Sequence, residues 1–280
     1  MIGFSDMLGG MCGRYASTRR PEDLIEEFDV EPLPEQDTRR LEPDWNVAPT
    51  KEVYAVLERP ARESDTGDDH EQQRQLRTLT WGLVPFWAKD PKIGSRMINA
   101  RMETVAEKPA YRRPFERRRC VLPADGYYEW YPTSQTTKAG KPRKQPFFIR
   151  PTDAGVLAMA GLYEIWRDPE KADDDPDRFR WTCTVLTTSA EDSLGTIHER
   201  MPLMLDPANV DAWLDPDHGV TTGDRDTLLG LLTPAAPGRL EAYPVSSLVS
   251  NVRNNGPELV APLPLDDVSP EVAGQVVAGG

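Results

Sequence analysis

Three cysteines are spread along the 280-residue chain, at positions 12, 120 and 183. Cys12, between Met11 and Gly13-Arg14-Tyr15, is the one whose setting suggests covalent chemistry. A cysteine at a free amino terminus is a 1,2-aminothiol. Its amine condenses with an aldehyde to an imine, and its thiol then closes a five-membered thiazolidine. Reference pKa values of roughly 8 for the amine and 8.5 for the thiol leave both partly deprotonated near neutrality. In the sequence as written Cys12 is internal, so this chemistry needs a start at Met11 with methionine removed, or cleavage of the Met11–Cys12 bond. A lone cysteine is otherwise most often a small buried hydrophobe.

Three other residues have side chains suited to assist. Glu129 lies in the run Tyr127-Tyr128-Glu129-Trp130. On a strand, Tyr127 and Glu129 share one face, and a carboxylate among aromatics takes a raised pKa that suits proton transfer. A structural ion pair with an arginine is the plainer alternative. His198, one of three histidines, stands at an apolar-to-turn transition and titrates in the useful range. A capping or surface role competes. Asn99 both donates and accepts, so its amide can orient Cys12, although asparagine is also a preferred helix cap. His70 and His218 lie in acidic, loop-like segments and take no role.

A second group could contact a polyanion. Arg14 and Arg101 are joined by Arg112, Arg113, Arg117, Arg118 and Arg119, five arginines within eight positions. Phosphate binding and a solvated face are both open to them. Phe86 and Trp87, behind Pro85, could stack on bases or belong to the core. The net charge of −13 argues against a nucleic-acid partner, but acid is concentrated in two loop-like stretches, 63–71 and 168–177, so a local basic patch survives.

The elements that must position these residues follow from periodicity and turn residues. Helix signals cover 20–28, 102–108, 207–214 and 225–232. Strand signals cover 53–57, 76–84, 120–130, 145–150, 157–166, 180–188 and 242–246. Short non-adjacent strands without βαβ alternation predict an α+β chain. The expected form is a single domain of mainly antiparallel, barrel-like sheets with a few short flanking helices. Its expected extent is 11–264, with 1–10 as an extension and 265–280 as a flexible tail. No C-x-x-C pair is present, so no zinc site or disulfide framework is expected. The absence of a run of about eighteen apolar residues and of a secretory signal predicts a cytoplasmic protein with no membrane partner.

Several segments recur together and in order: Met11-Cys12-Gly13-Arg14-Tyr15, Trp45-Asn46-Val47-Ala48-Pro49, Trp81 to Trp87, Ile98-Asn99-Ala100-Arg101, Pro123 to Trp130, Ile197 to Pro202, and Asn251-Val252-Arg253-Asn254. In this order they resemble the SOS response-associated peptidase (SRAP) family, from Met11 to about Pro262. The resemblance implies covalent capture of abasic sites in single-stranded DNA, with no cofactor and no metal, by a monomer. It implies Cys12 as nucleophile, Glu129 as general acid/base, His198 as a proton carrier beside the ring-opening sugar, and Asn99 as a holder of Cys12. Arg14, Phe86, Trp87, Arg101, Arg112 and Arg113 are the expected DNA contacts. Some relatives carry a second tryptophan where this chain has Ala88, which would weaken the wedge. Asn46, Trp81 and Asn254 are expected to be scaffold. Two competing functions remain at this point: a cysteine-type autopeptidase using Cys12 and His198, or a non-catalytic binder of single-stranded DNA.

Overall fold

Long alternating strands do most of the building. The computed structural model describes residues 12–31, 40–60, 72–218, 225–233 and 238–278. The 1–10 extension and the 63–71 acidic stretch lie outside the described residues. In chain order the strands are β1 (Tyr15–Ser17), β2 (Asp44–Val47), β3 (Glu52–Pro60), β4 (Gln72–Trp81), β5 (Asn99–Arg101) and β6 (Arg119–Ala124). They continue with β7 (Gly126–Thr136), β8 (Pro142–Pro151), β9 (Leu157–Arg167), β10 (Phe179–Ser189), β11 (Arg200–Pro202) and β12 (Leu240–Pro244). The helices are short: α1 (Pro21–Glu27), α2 (Arg112–Arg117), α3 (Asp192–Gly195), α4 (Val210–Leu214), α5 (Arg225–Gly230) and α6 (Pro270–Ala273).

Five strands close on themselves in the order β10-β4-β3-β6-β9, with β9 pairing back to β10. All of these pairings are antiparallel except β4 with β10, so the barrel is mixed. The second half of β10 also pairs with β5 and β11. A second, wholly antiparallel sheet, β12-β8-β7-β1-β2, packs against the barrel. Its inner face and the barrel interior share one apolar cluster that includes Cys12, Tyr15, Leu57, Trp81, Tyr127, Phe147 and Cys183. Leu24, Phe115, Trp213 and Leu228, from α1, α2, α4 and α5, and Phe28 just after α1 cover the outer barrel wall with Val56 and Leu162. The chain is thus an α+β single domain of mainly antiparallel sheets with a barrel, as its strand pattern predicted.

Several boundaries differ from expectation. The apolar run 120–130 is two strands in two sheets. β6 belongs to the barrel, β7 to the second sheet, and the corner is Asp125-Gly126. The Asp125 carboxylate accepts hydrogen bonds from the Thr18 amide and hydroxyl. A Cβ at Gly126 would come within 2.4 Å of the Phe148 ring. Expected helix 102–108 is only a 3-10 turn over Met102–Thr104, and α2 was not foreseen. Residues 265–278, expected as a flexible tail, are packed over this described length. Val272 is buried, Glu271 accepts from Ser134, and Val277 bridges Ala242 on β12.

Candidate active site

Cys12 lies just ahead of β1, 4% exposed, and its neighbours come from three separate segments. β5 presents Asn99, whose Nδ2 donates to the Cys12 carbonyl at 2.8 Å. β7 presents Glu129 from the face it shares with Tyr127, while Tyr128 and Trp130 face the other way against Val249 and Leu259. The turn between α3 and β11 presents His198. The Arg200 backbone links the last of these to the thiol: its carbonyl lies 3.8 Å from Cys12 Sγ and 3.1 Å from His198 Nδ1.

That backbone suits a proton carrier. The Arg200 amide also lies 3.1 Å from His198 Nδ1. A neutral ring accepts from the amide, and a protonated ring donates to the carbonyl. The imidazole therefore keeps a partner in either charge state without turning. Arg200 itself is held by Glu103 (Nη2 to Oε2, 3.0 Å) and by the Thr187 carbonyl at 2.7 Å. The hydrogen bond from Arg200 is the main reason that the Glu103 carboxyl sits below its ordinary pKa.

Burial sets the charge states. It raises the Glu129 carboxyl to about 7, opposed by the nearby His198 charge and a hydrogen bond with Cys12. Burial, then the Glu129 charge and that same hydrogen bond, push the Cys12 thiol well above its ordinary value. At neutral pH the thiol is protonated and the carboxyl stands between its two forms. Among the described residues, Asn99 Oδ1, Tyr127 OH and Glu129 Oε1 are buried without a hydrogen-bond partner. Buried polar atoms normally have one, so three open valences in the cluster around Cys12 mark a place for a polar ligand.

The structure thus brings Cys12, Asn99, Glu129 and His198 together. Tyr127 and Arg200 were passed over. The alternation that placed Glu129 also placed Tyr127, but the role of Arg200 belongs to its backbone, which no side-chain motif reveals.

The expected DNA contacts divide. Phe86 and Trp87 are 52% and 50% exposed, so neither is a core residue. The Arg113 guanidinium lies over the Phe86 ring at 5.2 Å, and Arg101 and Arg112 are exposed. Arg14 is committed to the scaffold. It donates to Asn46 Oδ1 and the Val249 carbonyl and lies 5.7 Å over Trp130. The five-arginine face needs correction. Arg119 is buried, bonding carbonyls of Trp213, Phe115, Glu116 and Asp215, and Arg118 pairs with Glu164. The chain turns inward where α2 runs into β6. Asn46, Trp81 and Asn254 all bond backbone carbonyls, as scaffold residues would.

A cavity of about 620 Å³ lies apart from this cluster, between α1, the start of β9 and residues 201–211, and is lined by Arg74, Glu191 and Arg239 among others. None of the four converging side chains lines it, so the site is defined by the chemistry at Cys12 and not by cavity size. Among the described residues no group of His, Cys, Asp or Glu is arranged to hold a metal ion. Nor is any helix among them long and apolar enough to cross a membrane.

Residues 11–252 match the model of a family described as SOS response associated peptidase (SRAP). The chain is 39% identical to the abasic site processing protein YoqW of Bacillus subtilis, over 89% of this chain and 99% of that one. It is 29% identical to the abasic site processing protein HMCES of Xenopus tropicalis, over 90% and 78%. A crystal structure of a Bacteroides thetaiotaomicron protein, 22% identical, superposes with a TM-score of 0.69 over 90% of this chain and all of that one.

Proposed function

The chain belongs to the SOS response associated peptidase family, and on that premise we propose that it captures abasic sites in single-stranded DNA through Cys12 as amino-terminal residue. The observation that carries the proposal is the convergence on Cys12 of an orienting amide, a carboxyl poised near neutrality and a two-way imidazole. The names of the relatives, abasic site processing proteins, point to the same substrate.

The ring-opened abasic sugar offers an aldehyde. The Cys12 amine adds to it, and loss of one water gives an imine. The thiol then adds to the imine carbon, its proton passing to Glu129 and the imine nitrogen taking one up, which closes a thiazolidine. No electron is gained or lost, so no oxidant is needed. His198 moves protons at the sugar oxygen, and Asn99 holds the Cys12 backbone so that amine and thiol face one carbon. The working unit is the domain from Cys12 through the packed segment 265–278, acting as a cytoplasmic monomer without cofactor or metal. A thiol peptidase needs the opposite electrostatics, because its nucleophile is a thiolate of depressed pKa. Here burial and Glu129 push the thiol the other way.

The test is intact mass after incubation with a single-stranded oligonucleotide carrying one abasic site. A chain beginning at Cys12 is expected to gain the oligonucleotide's mass less one water. No gain by that form overturns the proposal.

Phe86 and Trp87 are assigned to the bases flanking the lesion. Trp87→Ala should weaken non-covalent binding by about 1–3 kcal/mol, the usual cost of losing one stack. Its melting temperature should hardly move, because the ring is half exposed. Anisotropy titration with the same oligonucleotide reads the first quantity and a thermal melt the second.

A further inference from the structure

Asn99 Oδ1, Glu129 Oε1 and Tyr127 OH, all in the cluster around Cys12, are buried without a hydrogen-bond partner among the described residues. Asn99 and Glu129 take part in capture at Cys12, whereas the Tyr127 hydroxyl is left idle. Tyr127 is 1% exposed and faces the apolar cluster that holds Cys12, on the same side of β7 as Glu129. Its ladder neighbours are Tyr15 on β1 and Ile149 on β8. A phenylalanine would fill that place with no polar atom to satisfy. Other tyrosine hydroxyls reach backbone carbonyls: Tyr111 that of Asn99 at 3.2 Å, Tyr128 that of Trp45 at 2.7 Å, Tyr243 that of Val260 at 3.1 Å. An unpaired buried hydroxyl costs stability, so the exception at Tyr127 points to a partner that arrives with the substrate.

The three open atoms are complementary to one species on the path. The carbinolamine formed from amine and aldehyde carries an N–H and a hydroxyl on adjacent atoms. Asn99 Oδ1 only accepts, and its amide is fixed by the bond from Nδ2 to the Cys12 carbonyl at 2.8 Å. It suits the N–H. Glu129 supplies the proton that turns the hydroxyl into leaving water. That oxygen still offers a lone pair, and Tyr127 brings the donor for it. Burial first, then the charges of Cys12, Glu129 and Glu191, push the Tyr127 phenol well above its ordinary value. It stays protonated near neutrality, so it donates and does not titrate.

We propose that Tyr127 is a further catalytic residue, whose hydroxyl donates to the carbinolamine oxygen as the C–O bond breaks. The proposal rests on capture at Cys12 and deepens it. In this step the nitrogen lone pair forms the C=N bond, and the oxygen leaves as water with the Glu129 proton. The nitrogen's own proton returns to the carboxylate, so one water is lost and Glu129 is restored. The phenol keeps its proton throughout, and no electrons are gained or lost.

The experiment uses Tyr127→Phe, which keeps the ring, in a chain beginning at Cys12. Single-turnover adduct formation on the abasic oligonucleotide is followed from pH 5 to 9. The same substitution is made in Cys12→Ser, where borohydride trapping reads imine formation without the thiol. Both rates should fall by about 10²-fold, the lower end of the loss for one preset donor at a developing charge. The inflection near pH 7 that belongs to Glu129 should stay in place, and the melting temperature should hold or rise as the unpaired hydroxyl disappears. An unchanged rate overturns the proposal. So does a slow variant whose inflection moves, because Tyr127 would then act through the Glu129 carboxyl. Slowing of the adduct with imine trapped at the normal rate would also overturn it. Failure of capture itself reads differently: the wild-type chain then forms no adduct and traps no imine.

Discussion

Cys12→Ser is expected to form no adduct that survives denaturation, in a chain whose amino terminus is residue 12. Serine keeps the amine, so the aldehyde still condenses to an imine, but a hydroxyl closes the ring too weakly to hold the product against hydrolysis. Borohydride reduction should therefore trap the variant on the oligonucleotide, while without borohydride the yield falls to background. Fold loss does not explain such a result. The site accepts a small side chain able to donate to the Arg200 carbonyl, 3.8 Å from Sγ, and serine can do so. A form that retains residue 11 has an amide where the amine is needed, and should give neither product. Denaturing gels with and without borohydride separate the three forms. Stable adduct from the serine variant would remove the thiol from the mechanism. Stable adduct from the extended form would remove the amine.

Much of this site was legible because it depends on strand alternation. Reading 126–130 with period two puts Tyr127 and Glu129 on one face, and the aromatic surroundings announce a displaced pKa. What was not legible depends on long-range pairing. The parallel contact of β4 with β10 that closes the barrel joins Thr80 to Thr182, about a hundred residues apart, and no local pattern encodes it. Continuous apolarity hid the corner at Gly126, which shows only as the glycine that lets Phe148 approach. The three-residue β5 is too short for a periodic signal, so Asn99 read equally well as a helix cap. Arginine counting failed for a related reason: Arg118 and Arg119 are neighbours of Arg117 in sequence, but the turn out of α2 swings them inward. The hub at Arg200 was hidden because its carbonyl and amide, not its guanidinium, face the thiol and the imidazole.

Glu129→Gln should separate stability from activity along the pH axis. The folded carboxyl sits at about 7, against about 4.3 for an unfolded glutamate. Between those values the native state binds more protons than the unfolded one, so stability falls as pH rises through that window. The sign is opposite to that of an ion-paired carboxylate. The full loss is about 4 kcal/mol, complete by roughly pH 8 and absent below pH 4. Glutamine carries no charge to bury, so its stability curve should lack this slope, and the variant should melt higher than wild type at pH 8 with little difference at pH 4.5. The chemistry should move the other way. A carboxyl near 7 serves as acid when the carbinolamine loses water and as base when the thiol adds, and general catalysis of this kind contributes about 10²–10⁴-fold. The variant should form adduct slower by about that factor, and its rate should lose the inflection near pH 7 that wild type shows. Urea titrations at the two pH values and single-turnover adduct formation from pH 5 to 9 measure both effects. Parallel stability slopes in the two proteins would mean that Glu129 ionises normally. A slow variant that kept the inflection would place the titrating group elsewhere, with His198 the next to be replaced.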